Sequence, residues 1–368
     1  MKKSIGGRPR LYLNAFAEVV PVVRNKRVYL HVRAPRRGRS MRNSLVRETS
    51  RTQLAASNLY LPKRSMPRAV RFEPGLDLKA LAQWRLGASD PCLRAAAGGY
   101  RLNPAFKSLG GQWQLRDPLT GLVYTLTPGR RGLALAKRKF KNLTGIESRA
   151  LILARVLVPR DYERVRRAWL RELAARGREL RARGAVSLGA LLPPPLSLEL
   201  GRYFQRLKAE GFCDYHPKPD NKFVVYNDAN ARALMKDLTP LLSKILRTKL
   251  RPTYPYYYSY GESAMLRRHR DREQCQYSVA IQLDYEPSAA PVRARWPLKI
   301  IGADGVRREW TQECGEGLLF LGRDLEHWRA RAPAGHKLSA VLFHYVDHDS
   351  AVKRLIPDDA KRTWWGRA

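Results

Sequence analysis

At 368 residues and 44% hydrophobic content, the chain is long enough for one large domain or two to three ordinary ones and apolar enough for a packed core. Its formal charge of +38 sits almost wholly in residues 1–250, with 51 Lys/Arg against 17 Asp/Glu, while residues 251–368 hold 19 against 15; a nucleic acid or other anionic partner would meet the front of the chain. No run approaches ~20 continuous apolar residues, which excludes a helical membrane span, and four scattered cysteines (Cys92, Cys213, Cys275 and Cys314) give neither a zinc spacing nor a disulfide framework.

Met1 to Gly7 lead into no apolar core of signal-peptide length, so a cytoplasmic location is expected. Residues 1–55 read as a basic arm, with 14 Lys/Arg against Glu18 and Glu48, one β-like island at residues 27–32 and an Arg-rich cluster at 36–39. Such an arm could contact phosphates, but the absence of interleaved aromatics favours a solvated tail. Residues 56–155 read as a small mixed accessory domain. Its plainest element is a hairpin, residues 111–116 and 122–126, around the Pro118 and Gly121 turn.

Residues 156–194 read as a helix and a stiff linker. Asp161 is placed to cap the helix, Val165, Trp169, Leu173 and Leu180 share one face, and Gly184 ends it before Pro193, Pro194 and Pro195. From residue 195 to 350 a helix capped by Ser197, a strand at 222–226 and an amphipathic stretch at 229–250 precede many short strands. Pro240 should start a new helix or impose a kink there. Strand-like runs at 254–260, 277–283, 296–301, 317–321 and 337–346, separated by Gly and Asp turns, give an α+β fold with a C-terminal jelly roll buttressed by helices. Residues 351–368 form a tail in which Trp364 and Trp365 could dock.

The chemistry concentrates in that last region. If residues 268–272 are extended, His269 and Asp271 point to one face, and His327, 58 positions later, can return beside them from another strand. Two imidazoles and one carboxylate with the other positions open suit a non-haem Fe(II) oxygenase. Lys337, with Ser339 on its face of the strand, offers a cation and a hydroxyl for the far end of a dicarboxylate. Arg329, two after His327, is a candidate contact for a substrate carboxylate or phosphate, with a surface Arg beside Trp328 as the plain reading. The other groups have simpler readings: His344 and His348 near Asp347 and Asp349 as solvated, His336 on the face opposite Lys337, Cys275 as a buried thiol.

His269-Arg270-Asp271, then His327, then Pro333-Ala334-Gly335-His336-Lys337 resembles the prolyl-4-hydroxylase branch of the Fe(II)/2-oxoglutarate dioxygenases, over roughly residues 195–350. That family shows an HxD pair, a distal His and a Gly-x-Arg/Lys ten residues beyond it, on a double-stranded β-helix. The resemblance implies Fe(II) on His269, Asp271 and His327, with the distal carboxylate of 2-oxoglutarate on Lys337. Ser339 fits an Arg/Lys-x-Ser pairing, and Tyr258, three before Gly261, falls near a Tyr-x-x-Gly position that reaches the cosubstrate. O2 would be the second cosubstrate, and the implied outcome is hydroxylation of an unactivated C–H with release of succinate and CO2. The target could be a peptide, a protein or a small molecule. Where the family often shows Gly-Gly-x-Thr this chain has residues 293–298, Arg-Ala-Arg-Trp-Pro-Leu, so proline preference does not carry over. Two alternatives remain: an oxidative nucleic-acid demethylase, ranked lower because residues 337–343 lack an Arg-x-Asn-x-x-x-Arg signature, and a non-catalytic basic nucleic-acid-binding protein on a jelly-roll scaffold.

Overall fold

The computed structural model describes residues 72–210 and 213–352, together with the backbone of three strands near the start of the chain. These are β1 (Leu11–Tyr12), β2 (Glu18–Arg24) and β3 (Arg27–Arg33), an antiparallel sheet in which β3 covers the island expected at 27–32. The Arg-rich cluster at 36–39 and the terminal Trp364 and Trp365 lie outside the described residues.

Three of the four α-helix starts in residues 72–159 follow their capping chemistry. Asp77 caps α1 (Leu78–Ala82), and Asp90 caps α2 (Pro91–Arg94), where a proline at the first position loses no hydrogen bond. After β4 (Tyr100–Leu102) come β5 (Lys107–Leu109), β6 (Gln112–Arg116) and β7 (Val123–Leu126). The last two are the expected hairpin, in register from Trp113↔Leu126 to Arg116↔Val123. Next are α3 (Gly129–Lys137) and α4 (Gly145–Leu153), the latter opened by a capping box between Thr144 and Glu147. Finally β8 (Leu157–Pro159) pairs with β4. Arg155 is buried between Asp90 at 2.7 Å and Asp117 at 2.9 Å, so the charges in this small core are paired.

The following segment brings the chain onto the jelly roll. α5 (Tyr162–Arg183) buries Trp169, Leu173, Gly177 and Leu180 and exposes arginines, but Asp161 makes no capping bond and pairs with Arg164 instead. Gly184, at φ 79°, ends it in the left-handed turn that glycine favours. β9 (Ala185–Ala190) then joins a sheet, which sequence alone did not indicate. α6 (Pro194–Ala209) starts at the prolines rather than at Ser197. β10 (Asp214–His216) and β11 (Lys222–Tyr226) lead to α7 (Ala229–Leu246), a single helix that runs through Pro240.

The remaining strands are β12 (Leu250–Tyr260), β13 (Leu266–His269), β14 (Tyr277–Glu286), β15 (Leu298–Ile301), β16 (Arg307–Trp310), β17 (Glu316–Phe320), β18 (His327–Arg329) and β19 (Lys337–Asp347). They split into two antiparallel sheets, a seven-stranded one in the order β10-β11-β12-β19-β14-β17-β9 and a four-stranded one in the order β13-β18-β15-β16. The last eight strands thus alternate between sheets as first-eighth-third-sixth and second-seventh-fourth-fifth, which is a jelly roll.

Strand parity divides the large sheet into two functional faces. Tyr258, Tyr260, Leu338, Ala340 and Leu342 face the small sheet, packed with Trp296, Leu298 and Ile300. Tyr257, Val341, Phe343 and Tyr345 face the helices, where Phe204 of α6 stacks on Tyr257 at 4.1 Å between ring centroids. Among the described residues no helix is long and apolar enough to cross a membrane.

Helices α5 and α7 meet backbone to backbone. A Cβ on Gly177 would lie 2.0 Å from the Ile245 carbonyl oxygen, inside any allowed contact. Gly177→Ala must push the helices apart, at an expected cost of about 1–3 kcal/mol, read as a lower urea midpoint with an unchanged slope. A midpoint equal to that of the parent chain would contradict this packing.

Candidate metal centre

Cross-strand register sets two of the three ligands. His269 closes β13 and His327 opens β18, and the two are paired directly, with ring centroids 4.3 Å apart. Asp271 is fixed two residues further on by its backbone N–H, which donates to the Gly322 carbonyl at 2.9 Å. Its Oδ1 then lies 3.5 Å from Nε2 of His269 and 3.6 Å from Nε2 of His327. Donor atoms bound to one ion at ~2.1 Å are about 3.0–3.4 Å apart. Both imidazole–carboxylate separations are within a few tenths of an ångström of that spacing, and the three ligand atoms all lie within 4.8 Å of one another.

The hydrogen bonds prepare the rings for that role. Nδ1 of His269 contacts the Arg267 carbonyl at 2.8 Å, and Nδ1 of His327 the Leu325 carbonyl at 3.0 Å. A carbonyl only accepts, so in each neutral ring Nδ1 carries the proton and Nε2 keeps a lone pair for a metal. Burial pulls the His269 imidazole down, but its bonds to Asp271 and the Arg267 carbonyl outweigh this and hold it above its ordinary value. Burial likewise opposes ionisation of Asp271, and the two imidazoles overcome it, holding the carboxyl well below the usual carboxylate range. The His269 side chain is 36% exposed against 4% for His327, so the cluster opens to solvent on the His269 side.

Behind Asp271 stands a supporting chain that the sequence did not reveal. Ser278 donates to Asp271 Oδ2 at 3.2 Å and is itself 3.0 Å from Nδ1 of His344. A hydroxyl has one proton to give, so His344 donates to Ser278, which donates to Asp271. Burial pushes His344 down to about 4, keeping its ring neutral. His344 therefore belongs to the interior behind the metal cluster rather than to a solvated terminal group. Asp271, Cys275 and His344 also lie close enough to share an ion. Burial, however, pushes the Cys275 thiol up to about 12, the Tyr254 hydroxyl contacts its sulfur at 3.1 Å, and His344 Nδ1 is engaged by Ser278. A protonated thiol is a poor ligand, so the open trio His269, Asp271 and His327 is the better metal site.

The other expected site residues divide by strand face. Tyr258 is buried on the inner face of β12, and Arg329, two after His327 on β18, is buried in the same inter-sheet space beside Trp296. Lys337 and Ser339 are not brought to the cluster. They share parity with Val341 and Phe343, which pack against the helices, while Leu338 and Ala340 take the inner positions. Lys337 lies at the sheet margin, 41% exposed, 3.1 Å from Glu286 and 3.4 Å from Glu262. Ser339 sits opposite Ser259, whose hydroxyl faces Lys208 of α6.

No protein-family model and no curated protein matches the chain. Solved structures similar to it include a prolyl-4-hydroxylase from Pseudomonas putida, at 22% identity over 47% of this chain and 99% of that one, with a TM-score of 0.40. A member of the 2OG-Fe(II) oxygenase family from Burkholderia pseudomallei matches at 14% identity over 50% and 92%, with a TM-score of 0.36. A Trichoplax adhaerens prolyl hydroxylase, in complex with a hypoxia inducible factor peptide, matches at 14% over 49% and 91%, with a TM-score of 0.40. With every one of these TM-scores below 0.5, the chemistry has to be carried by the side-chain geometry itself.

A substitution at Gly322 tests that geometry without replacing a ligand. A Cβ there would lie 2.3 Å from Asp271 Oδ2 and 2.6 Å from Ser278 Oγ. Gly322→Ala should displace the carboxylate and weaken divalent-metal binding by about 10- to 100-fold, measured by calorimetric titration with Co(II), while circular dichroism stays that of the parent. Unchanged affinity would show that Asp271 is not held where the ion binds.

Proposed function

We propose that the chain is an Fe(II)- and 2-oxoglutarate-dependent oxygenase that oxidises an unactivated C–H bond. The observation that supports this best is the convergence of His269 Nε2, His327 Nε2 and Asp271 Oδ1 at the mouth of a jelly roll, with both imidazole lone pairs directed inward by backbone carbonyls. Two imidazoles and one carboxylate on one side of an ion leave the opposite positions open, the donor set of non-haem Fe(II) oxygenases rather than of a closed structural zinc site.

The overall reaction balances as 2-oxoglutarate plus O2 plus R–H giving succinate, CO2 and R–OH. One oxygen atom enters succinate and the other the product. Iron, when bound, supplies the redox chemistry that couples O2 to these two changes. The chain supplies the rest. Asp271 contributes the negative charge that, with two neutral imidazoles, leaves a divalent ion at net +1 and open to anionic ligands. Ser278 and His344 keep that carboxylate oriented, and the tyrosines and Trp296 of the inner face shield the interior from water.

The test is aerobic conversion of 2-oxoglutarate to succinate by the purified chain. Succinate should form with added Fe(II), cease with a chelator, and fall to background in His327→Ala and Asp271→Ala variants that still fold. Absence of Fe(II) binding together with absence of succinate would refute the assignment.

A further inference from the structure

A buried charge is costly unless an opposite charge or a full set of hydrogen bonds compensates it. Arg329 is 3% exposed, and among the described residues no carboxylate comes within 4.0 Å of its guanidinium. Its Nη1 donates to the Trp296 carbonyl at 2.5 Å, its Nε has no partner, and its central carbon lies 5.3 Å from the Trp296 ring. The Tyr258 phenol lies close enough to feel its charge, which opposes the upward push of burial on the hydroxyl. Guanidinium does not lose its proton in proteins. The interior is therefore short of one negative charge at this point.

Lys337 presents the opposite situation. It is half exposed and already faces Glu262 and Glu286, so an incoming carboxylate would have to displace two acids to reach it. Two other buried arginines make the contrast clear: Arg155 lies between Asp90 and Asp117 and Arg295 pairs with Glu313 at 2.9 Å, whereas among the described residues Arg329 has no carboxylate in reach.

Position specifies the missing anion. His327 and Arg329 are the two buried residues of β18 and Trp328 between them is less so, which places both on one face, about 6.6 Å apart along the strand. A 2-oxoacid whose keto-acid end meets the ligand cluster, and whose second carboxylate lies two methylenes beyond the keto carbon, spans such an interval. Ala340, the cross-strand neighbour of Tyr258, adds only a methyl group to this part of the inner face.

We propose that Arg329, assisted by the Tyr258 hydroxyl, holds the distal carboxylate of 2-oxoglutarate and thereby selects five-carbon dicarboxylic 2-oxoacids; the inference rests on the oxygenase reading above. Two parallel N–H donors of a guanidinium match a carboxylate geometrically, and the phenol supplies a third donor. Lys337 in this arrangement is a structural surface cation.

The experiment is anaerobic calorimetric titration of the Co(II)-loaded full chain with 2-oxoglutarate and with 2-oxobutyrate, which lacks the second carboxylate. The parent should prefer 2-oxoglutarate by about 30-fold or more. In Arg329→Gln that ratio should collapse towards one, with 2-oxobutyrate and metal affinities unchanged, and in Lys337→Ala the ratio should persist. An undiminished ratio in Arg329→Gln, or a collapse in Lys337→Ala, overturns the proposal. Should Arg329→Gln fail to fold, Arg329→Lys and Tyr258→Phe decide, since both lower the ratio if the anchor is correct and an unchanged ratio in both refutes it. A parent that binds neither 2-oxoacid removes the oxygenase reading as well, whereas parent binding with an indifferent Arg329→Gln removes only the anchor.

Discussion

The Asp271 carboxylate is the interaction on which the site depends. One of its oxygens faces two imidazoles on neighbouring strands, and the other is held from behind by Ser278. This works only because a glycine, Gly322, leaves room for the carboxylate and gives its carbonyl to the Asp271 backbone. Turn, strand pairing and buried hydroxyl each fix one degree of freedom of a single side chain. Preorganisation of this sort separates a metal site from a chance meeting of polar groups.

A second constraint is parity in the large sheet. Because α6 and α7 cover its outer face and the small sheet covers its inner face, β12 and β19 are buried on both sides. Only odd or even position decides whether a residue meets a helix or the reaction space. Tyr258 and His344 fall on the inner side, Tyr257 and Ser339 on the outer. A one-residue shift of β19 would exchange these sets, and with them the identity of any cosubstrate anchor.

The convergence of His269, Asp271 and His327 was legible from sequence because their spacing is itself a structural statement: period two for His269 and Asp271, and a return by a later strand for His327. The jelly roll was legible for a similar reason, since the short runs after Pro252 are separated by Gly and Asp turns. The side of Lys337 was not. Residues 338–346 are nearly all apolar, apart from Ser339, His344 and Tyr345, and a strand covered on both faces carries no hydrophobic alternation from which its orientation can be read. For the same reason α4 escaped notice: Ala150, Leu151, Ile152 and Leu153 are all buried, so the helix has no polar face to betray its period. The worth of Arg329 was hidden differently. A sequence shows that an arginine is present, whereas the lack of a counter-charge among the described residues emerges only from the fold.

Charge reinforces this division of labour. The front of the chain holds most of the basic excess, and on α5 it is spread over exposed arginines, several of them paired with neighbouring acids. Arg329, buried with no carboxylate within 4.0 Å among the described residues, lies instead in the nearly neutral C-terminal part. The most direct measurement is an anaerobic crystal structure of the chain with Mn(II) and 2-oxoglutarate, with the ion located by anomalous scattering. The expected result is one ion bound by His269, Asp271 and His327, and the far carboxylate of the 2-oxoacid against Arg329. An ion lodged instead between Cys275 and His344, or a 2-oxoacid carboxylate on Lys337, would contradict it.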